Sequence, residues 1–273
     1  MSSVHALYFS PTGTTRQLTV CIGQALAEKL GRTLIPHDMT PPQMRTAALT
    51  FGPDDITVIG FPVYAGRLPN LLLPYIKTLR GSGTAAVPLV VFGNRNYDDA
   101  LPELGLLLED QGFRCVSAAA FVGEHSFSRT LGAGRPDAAD LETARSFAEK
   151  TAEKLRQGRF PKDLWDLLGE AQRPLKPYYI PRDPQGNPIS ILKVKPKLDP
   201  DKCDGCGKCV PLCPMGSIPA ENVAEIHGVC IKCGACIKGC PQDARFFDDP
   251  GYLLHKRILE EQFVRRAEPS LFL

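Results

Sequence analysis

Short apolar runs alternate with amphipathic stretches along the first part of the chain. Runs of a few residues that are bounded by glycine, proline or polar turns predict strands buried on both faces. Five such runs occur, at residues 4–9, 32–37, 55–63, 86–92 and 114–122. Apolar residues recur with helical spacing over residues 18–30, 70–80, 99–111 and 136–156. Strands and helices in alternation predict an α/β domain with a parallel sheet covered on both faces.

The rest of the chain changes in character twice. Residues 158–195 are rich in proline and carry enough apolar side chains to predict a linker packed on a domain, with a hairpin around the turn at 183–188. Most cysteines follow, and helical spacing returns from Leu253 to Phe263, which predicts a helix docked on this chain or on a second copy. The predicted units are a first domain (1–157), the packed linker (158–195), a cysteine-rich domain (196–248) and a docking helix with a tail (249–273).

A turn rich in hydroxyl groups joins the first strand to the first helix. It reads Ser10, Pro11, Thr12, Gly13, Thr14 and Thr15. Backbone amides at a helix N-terminus, with serine and threonine hydroxyls beside them, form a binding site for a phosphate group. No lysine follows the glycine, so this is not the loop that binds nucleoside triphosphates. A plain helix N-cap is the alternative interpretation of the hexapeptide taken alone.

Eight of the ten cysteines form two copies of one spacing pattern. In each copy three cysteines are spaced at intervals of three residues, and a fourth stands directly before a proline. The second copy begins at Cys230 and the first at Cys203, an offset of 27 residues (230 − 203). This spacing is typical of [4Fe–4S] ligation, in which the fourth cysteine binds the cluster of the other copy. The predicted ligand sets are Cys203, Cys206, Cys209 and Cys240 for one cluster, and Cys230, Cys233, Cys236 and Cys213 for the other.

Two other uses of cysteine fit the pattern less well. Structural zinc takes four ligands, usually from two separated C-x-x-C pairs, and leaves the third cysteine of each copy unexplained. Disulfides need an oxidising compartment, and no export signal precedes the first strand. Gly205, Gly207 and Gly234 lie between ligand positions, where they allow backbone amides to approach the cluster sulfurs.

Two resemblances follow from these motifs. At its cysteines, the segment 196–248 resembles the bacterial two-cluster ferredoxins, which implies a small α+β fold with pseudo-twofold symmetry. At the turn 10–15 and at the loops after the third and fourth strands, the first domain resembles the flavodoxins, which implies a five-stranded parallel sheet of order 2-1-3-4-5 and FMN as the cofactor. The residues that this resemblance assigns to FMN are Ser10, Thr12, Gly13, Thr14, Thr15, Pro62, Val63, Tyr64, Ala65, Gly93, Asn94, Arg95, Asn96, Tyr97 and Asp99.

The flavodoxin resemblance also implies how the flavin ring is held. Tyr64 and Tyr97 stand where flavodoxins place aromatic rings against the isoalloxazine, an arrangement that gains stacking at little cost in entropy. Arg67 departs from the acidic second loop that is common in flavodoxins, and a cation near the ring is expected to raise the flavin potential. His125 is expected to hydrogen-bond a loop backbone, with contact to the flavin, to a partner or to the cluster domain as the alternative.

Length and composition exclude several classes of protein. A chain of 273 residues has room for a second domain beside a ferredoxin, and 43% hydrophobic residues are ordinary for a globular protein. A net charge of +2 argues against a nucleic-acid surface. The apolar runs are far shorter than a membrane span of about 20 residues. We therefore expect a cytoplasmic protein with no membrane span, because thiolate-ligated clusters need a reducing environment.

The whole chain resembles the fused flavodoxin–ferredoxin proteins of anaerobic bacteria and archaea, which implies electron transfer. A cubane cluster passes one electron at a time and a flavin one or two, so the two cofactors together link low-potential partners such as a ferredoxin, a flavodoxin or an oxidoreductase. One alternative is an FMN-dependent reductase of a quinone or nitro compound, fed through the ferredoxin domain. A redox sensor is another, and a homodimer is compatible with each. No strand-linked G-x-G-x-x-G and no basic helix-turn-helix occurs, which argues against nicotinamide binding and against a transcriptional sensor.

Overall fold

A computed structural model describes residues 2–273. The larger sheet contains parallel strands in the order β2-β1-β3-β4-β6, which confirms the predicted flavodoxin-like order. These strands and the short β5, which pairs with β4, are β1 (Ser3–Tyr8), β2 (Thr33–Asp38), β3 (Ile56–Pro62), β4 (Thr84–Phe92), β5 (Phe113–Cys115) and β6 (Ala118–Val122). Every residue of β4 and β6 is buried, as expected for strands that are covered on both faces.

The fifth predicted strand is divided into two. β5 pairs with the beginning of β4 and β6 pairs with its end, and both strands run parallel to β4. Between them, the hydroxyl of Ser117 lies 2.9 Å from that of Thr151 in the helix above, and both residues are fully buried. This side-chain pair satisfies two buried polar groups at the interruption of the strand.

Helices cover both faces of the sheet. α1 (Thr14–Leu30) packs against α4 (Ala138–Gln157) on one face, and α3 (Ala100–Asp110) packs against α5 (Leu164–Leu168) on the other. The helix predicted at 70–80 is much shorter, with a 3₁₀ turn (Asn70–Leu72) and α2 (Leu73–Ile76). It ends early because the backbone of Arg80 is paired with the neighbouring segment, donating to the carbonyl of Leu49 and accepting from the amide of Phe51.

The sheet has one strand that the sequence pattern did not predict. β9 (Ser270–Phe272) lies at the C-terminus and pairs antiparallel with β6. Only three residues long and with one face half-exposed, it lacks the apolar run that marks the other strands. The predicted five-stranded parallel sheet is therefore extended by an antiparallel strand that covers the edge of β6.

The cysteine-rich segment consists of short elements that repeat. They are β7 (Lys197–Leu198), α6 (Cys209–Leu212), α7 (Ala235–Lys238) and β8 (Arg245–Phe246), with β7 and β8 paired antiparallel. Left-handed backbone angles recur at the 27-residue offset, at Gly205 and Lys232, Gly207 and Gly234, and Gly216 and Asp243. Because Lys232 and Asp243 adopt angles that favour glycine, the conformation of each half is preserved even where its residue type is not.

The linker and the C-terminal helix both pack on the two larger units. Trp165 and its neighbours in α5 belong to the core on the α3 face, as expected of a packed linker. The predicted hairpin is reduced to a single bridge between Arg182 and Pro188. The C-terminal helix is α8 (Pro250–Gln262), which buries Tyr252, His255 and Leu259 against this chain. No helix within residues 2–273 is both long and apolar enough to cross a membrane.

Candidate functional site

The turn between β1 and α1 leaves a helix N-terminus with free amides. Gly13, at the N-cap, has φ +89° and accepts from the amide of Gln17, so its left-handed angle turns the chain into the helix. The Ser10 hydroxyl accepts from the amide of Arg16 at 2.9 Å. Within residues 2–273, the amides of Thr14 and Thr15 donate to no acceptor. Two free N–H groups and the positive end of a 17-residue helix therefore face this turn, as an anion site requires.

The loop after β3 is a tight turn with strained backbone. Tyr64 and Arg67 exchange backbone hydrogen bonds of 2.8 and 3.1 Å around Ala65 and Gly66, which have φ of +51° and +74°. Burial raises the pKa of the Tyr64 phenol strongly, and the thiols of the inner cysteine set add to that rise. The predicted flavin-ring tyrosine thus lies next to the cysteine-rich segment.

The loop after β4 also carries left-handed residues, Asn94 at φ +65° and Asp98 at φ +43°. The ring of Tyr97 packs on Phe92, with centroids 5.6 Å apart. Arg95 pairs with Asp98. Because non-glycine residues at positive φ are costly, their clustering in the loops after β3 and β4 indicates that packing holds both loops in defined conformations.

The side chain of Asn94 forms three hydrogen bonds with the C-terminal tail. Its side-chain nitrogen donates to the carbonyls of Phe263 and Arg265 at 2.6 and 2.7 Å, and its side-chain oxygen accepts from the amide of Ala267 at 3.1 Å. Within residues 2–273, the backbone amides of Gly93 and Asn94 donate to no acceptor. Of the polar groups at this position, the backbone is therefore available to a ligand and the side chain is not.

The linker and α3 pair with the charged side chains of both loops. Asp99 is buried and accepts from Arg173 at 2.9 and 3.0 Å and from the Lys176 amide at 2.6 Å. Burial opposes ionisation, but these donors outweigh it and hold the pKa of the Asp99 carboxyl below its usual range. Arg67 binds both oxygens of Glu103 at 2.6 and 3.0 Å. The cation expected near the flavin ring is thus paired with a carboxylate, which removes the reason for expecting it to raise the flavin potential.

His125 lies at the junction of the loops. Its Nδ1 accepts from the amide of Phe127 at 3.1 Å, which confirms the expected bond to a loop backbone. A side chain at Gly93 would collide with the imidazole, because an added Cβ would lie 2.2 Å from the ring. Burial lowers the pKa of His125 to about 3, with smaller contributions from His255, Lys238 and Arg95. The imidazole is therefore neutral at physiological pH.

The eight cysteines line two enclosed cavities, four in each. The inner cavity is lined by Cys213, Cys230, Cys233 and Cys236, mostly among apolar side chains. The outer cavity is lined by Cys203, Cys206, Cys209 and Cys240, with Arg245 in its wall. These groups have the same members as the two ligand sets predicted from the spacing. Among residues 2–273, no three His, Cys, Asp or Glu side chains converge closely enough for a single metal ion.

Backbone amides and burial suit both cavities to sulfur-bound iron. The amide of Ser217 lies 3.3 Å from Cys213 Sγ, and the amide of Ala244, 27 residues later, lies 3.4 Å from Cys240 Sγ. Such N–H donors stabilise a reduced cluster. Burial raises the pKa of Cys233, and that of Cys236 to about 12, so these thiols ionise only when a cation binds them. The donor set therefore fits [4Fe–4S] clusters.

The two domains meet through few but close contacts. Lys238 pairs with Glu124 and donates to the carbonyl of His125 at 2.7 Å. A Cβ at Gly234 would lie 2.5 Å from the carbonyl oxygen of Ser126, so only glycine allows this approach. Arg45 donates to the carbonyl of Pro214 at 2.6 Å. The inner cavity is thus held against the segments that follow β2 and β6.

Comparison with known families identifies the cysteine-rich segment. Residues 195–241 match the family described as 4Fe–4S dicluster domain. They form a dicluster domain. The match includes all eight cysteines of the two cavities, so the dicluster domain carries two [4Fe–4S] clusters. Joined to a flavodoxin-like domain, it indicates electron transfer.

Individual relatives cover only parts of the chain. The chain is 42% identical over 50 residues to pyruvate synthase subunit PorD of Methanothermobacter marburgensis, across 18% of this chain and 60% of that protein. It is 37% identical over 59 residues to an uncharacterized ferredoxin of Methanocaldococcus jannaschii, across 20% of this chain and 40% of that protein. A solved flavodoxin from the domain Archaea covers 57% of this chain and 99% of its own, at 12% identity and a TM-score of 0.40. The strand order of the larger sheet shows the flavodoxin-like fold.

Several residues around the site were not predicted from the sequence. Tyr178 and Tyr179 of the linker lie against Arg67 and Arg95, with the guanidinium carbons 5.2 and 4.3 Å from the ring centroids. The Tyr179 amide also donates to the carbonyl of Ala65 at 2.8 Å. The paired tyrosines between prolines were visible in the sequence, but the loops that they contact lie more than 80 residues away (179 − 95 = 84).

Proposed function

We propose that this protein passes single electrons between FMN, held by the flavodoxin-like domain, and the two clusters of the dicluster domain, and so connects low-potential redox proteins. FMN exchanges one or two electrons when bound, whereas a cubane exchanges one. A protein with both cofactors can therefore exchange electrons with one-electron carriers and with two-electron carriers. The chain is proposed to act as a mediator without substrate chemistry of its own.

The placement of Tyr64 carries this proposal. Tyr64 belongs to a loop assigned to the flavin ring, and its phenol is close enough to Cys230 and Cys233 for their charges to affect its pKa. Gly234, which follows Cys233, touches the backbone of Ser126 at the same edge of the sheet. Because electron tunnelling falls off steeply with distance, a flavin beside Tyr64 and a cluster in the inner cavity are well placed to exchange electrons.

The phosphate end of the site supports FMN as the flavin. Thr14 and Thr15 present free amides at the start of α1, and Gly13 has open space where a side chain would stand. The dianionic phosphate of FMN suits such a helix N-terminus. The free backbone amides of Gly93 and Asn94 suit the polar edge of the ring. These residues would bind and orient the flavin, and the linker over both loops would limit access of water.

The test is cofactor analysis followed by electron exchange. The protein is purified and reconstituted anaerobically, and we expect about eight iron atoms per chain, the content of two four-iron clusters, with one FMN. After reduction with dithionite, mixing with an oxidised ferredoxin or flavodoxin is expected to oxidise both cofactors rapidly in stopped-flow absorbance. Thr12→Ala is expected to weaken FMN binding and slow flavin oxidation while the iron content stays unchanged.

Other outcomes separate the alternatives. Steady turnover of a quinone or nitro compound, lost in Thr12→Ala, would favour an FMN-dependent reductase. Iron well below eight per chain, or a protein that cannot be loaded with FMN, would contradict the proposal. Slow exchange with every protein partner, although both cofactors are present, would contradict the mediator role.

A further inference from the structure

Arg245 is a buried cation with unused hydrogen-bond donors. The residue is 2% exposed, and Nη2 donates to the carbonyl of Val223. Within residues 2–273, its Nε and Nη1 have no hydrogen-bond partner. Burying a charged group without satisfying its donors is strongly unfavourable, so such a residue in a folded protein indicates a missing acceptor.

The free donors belong to a side chain in the wall of the outer cavity. Arg245 lines this cavity together with the four cysteines Cys203, Cys206, Cys209 and Cys240. Its backbone is fixed in β8, opposite Leu198 of β7. The amide before it, that of Ala244, already lies 3.4 Å from Cys240 Sγ. The guanidinium is therefore held beside the ligand sulfurs of the outer cavity rather than free to reach solvent. Its charge also acts on the thiol of Cys236 in the inner set, whereas its free donors belong to the wall of the outer cavity.

The internal repeat shows that this arginine is not needed to form a cavity of this kind. The position 27 residues earlier (245 − 27 = 218) is Ile218. Ile218 is also buried and lines the inner cavity. The residues before the two positions make the same amide contact with a cysteine sulfur, at Ser217 and at Ala244. The two halves thus share a backbone but place an apolar group at one cluster and a cation at the other.

We propose that Arg245 donates from Nε and Nη1 to sulfur atoms of the outer cluster, and that the outer cluster is therefore reduced before the inner one. The inference rests on the proposed function, because it requires both clusters. One-electron reduction adds one negative charge to a cluster and its four thiolates. A nearby cation and N–H donors stabilise that added charge and raise the reduction potential. When the electron moves outward, the inner cluster is oxidised and the outer cluster reduced, with no bond or proton change.

The outer cavity has an exposed cysteine, whereas the inner cavity lies beside the loops assigned to the flavin. Cys206 of the outer set is exposed, whereas Cys233 of the inner set is buried beside the loop that carries Tyr64. An electron that collects at the outer cluster is therefore held near the surface, where a protein partner can reach it. Arg245 would direct electrons from the flavin side of the molecule toward that surface.

The test replaces Arg245 by its counterpart in the repeat. Arg245→Ile and the wild-type protein are loaded with iron, and the two potentials are measured by redox titration monitored by electron paramagnetic resonance. After one-electron reduction, we expect the ratio of reduced outer cluster to reduced inner cluster to be at least tenfold lower in Arg245→Ile than in the wild-type protein. This change corresponds to a fall of about 59 mV in the potential of the outer cluster relative to the inner one. Arg245→Lys keeps the charge and is expected to shift less. Ile218→Leu, the matched control in the inner cavity, is expected to leave both potentials unchanged.

The outcomes distinguish this inference from the function on which it rests. Cys206→Ser alters the outer ligand set alone and identifies the outer cluster in the titration. Wild-type protein with far fewer than about eight irons contradicts the proposed function itself. If Arg245→Ile has its full iron content and its two reduction potentials are unchanged, only the role of Arg245 is overturned. An equal fall in both potentials has the same meaning. If Arg245→Ile does not assemble its clusters, Arg245→Gln, which is neutral and similar in shape, is judged by the same criterion.

Discussion

The ammonium nitrogen of Lys238 lies 2.7 Å from the carbonyl oxygen of His125, and it also pairs with the carboxylate of Glu124. Lys238 belongs to α7 of the dicluster domain, and His125 follows the last parallel strand of the flavodoxin-like domain. The lysine side chain is 14% exposed. Burial lowers the pKa of Lys238, while Glu124 opposes that change. This contact fixes the inner cavity against the loops of the sheet.

Lys238→Met should therefore loosen the junction between the domains. Removing one partner of a partly buried pair leaves Glu124 and the His125 carbonyl without their donor, at a cost of about 1–3 kcal/mol in the free energy of unfolding. Chemical denaturation measures that loss, and stopped-flow spectroscopy should show slower electron exchange between clusters and flavin. Lys197→Met is the matched control, because Lys197 is an exposed lysine of the same domain that pairs with Asp248 at the surface. Equal losses in both variants would contradict a specific role for Lys238.

Gly13→Ala should weaken FMN binding at the start of α1. Residue 13 has φ +89°, where an L-residue costs about 1–2 kcal/mol, and relief of that strain turns the amides of the turn away from the phosphate. We expect the FMN dissociation constant to rise at least about tenfold, which corresponds to ~1.4 kcal/mol. Quenching of flavin fluorescence on binding measures it.

The control for this variant lies at the other end of the same helix. Gly31 caps the C-terminus of α1 with φ +65°, and a Cβ there also meets open space. Gly31→Ala should cost similar stability while FMN affinity stays at the wild-type value. An equal loss of affinity in both variants would mean that general destabilisation, and not the phosphate turn, is responsible.

Two buried histidines predict a loss of stability in acid. Burial lowers the pKa of His125 to about 3, with His255, Lys238 and Arg95 adding to the shift, and it lowers the pKa of His255 to about 4, with Arg95 adding to the shift. The unfolded chain takes up these protons near pH 6.5, so the unfolded state binds more protons as the pH falls from 6.5 toward 4. The stability that the neutral rings contribute is therefore present at pH 7 and lost over that window.

Urea unfolding at pH 7 and pH 5 measures this effect. Each histidine should account for a decrease of about 2 kcal/mol in the free energy of unfolding between the two values. His255→Asn removes one titrating group and should roughly halve the decrease. His227→Asn is the control, since His227 is an exposed histidine paired with Glu225. If His255→Asn leaves the pH dependence unchanged, the buried-histidine explanation is wrong.

Removal of the last five residues, 269–273, should expose the edge of the main sheet. This truncation deletes β9, whose backbone pairs with Ala118, Ala119 and Ala120 of β6. An uncovered strand edge recruits other strands, so we expect concentration-dependent self-association together with lower stability. Sedimentation velocity measures the first effect. Leu271→Ala keeps the backbone pairing and alters a half-exposed side chain, and it should stay like the wild-type protein.

The parts of the fold that local pattern determines were evident in the sequence. The apolar runs around Val58 and Val90 could only be strands buried on both faces, and α/β alternation then led to the parallel order that the structure has. The cysteine spacing likewise indicated two sets of four, because the positions of three ligands on one short loop depend on local backbone geometry. Gly13 carries a left-handed angle at the turn predicted to bind phosphate, where the residue type itself is informative.

The contacts between distant segments were decided only by the tertiary structure. The tail segment 270–272 is short and half-exposed, so nothing in its composition distinguishes a strand that covers β6 from a free end. Asn94 and Asp99 each stand in a loop typical of ligand binding, yet their side chains are satisfied by the tail and the linker. Arg245 is an ordinary charged residue in the sequence, and only the packing of the two halves reveals it as buried beside the outer cavity. Patterns of neighbouring residues fix local conformation, whereas pairing across the chain depends on which polar groups folding brings together and leaves unsatisfied.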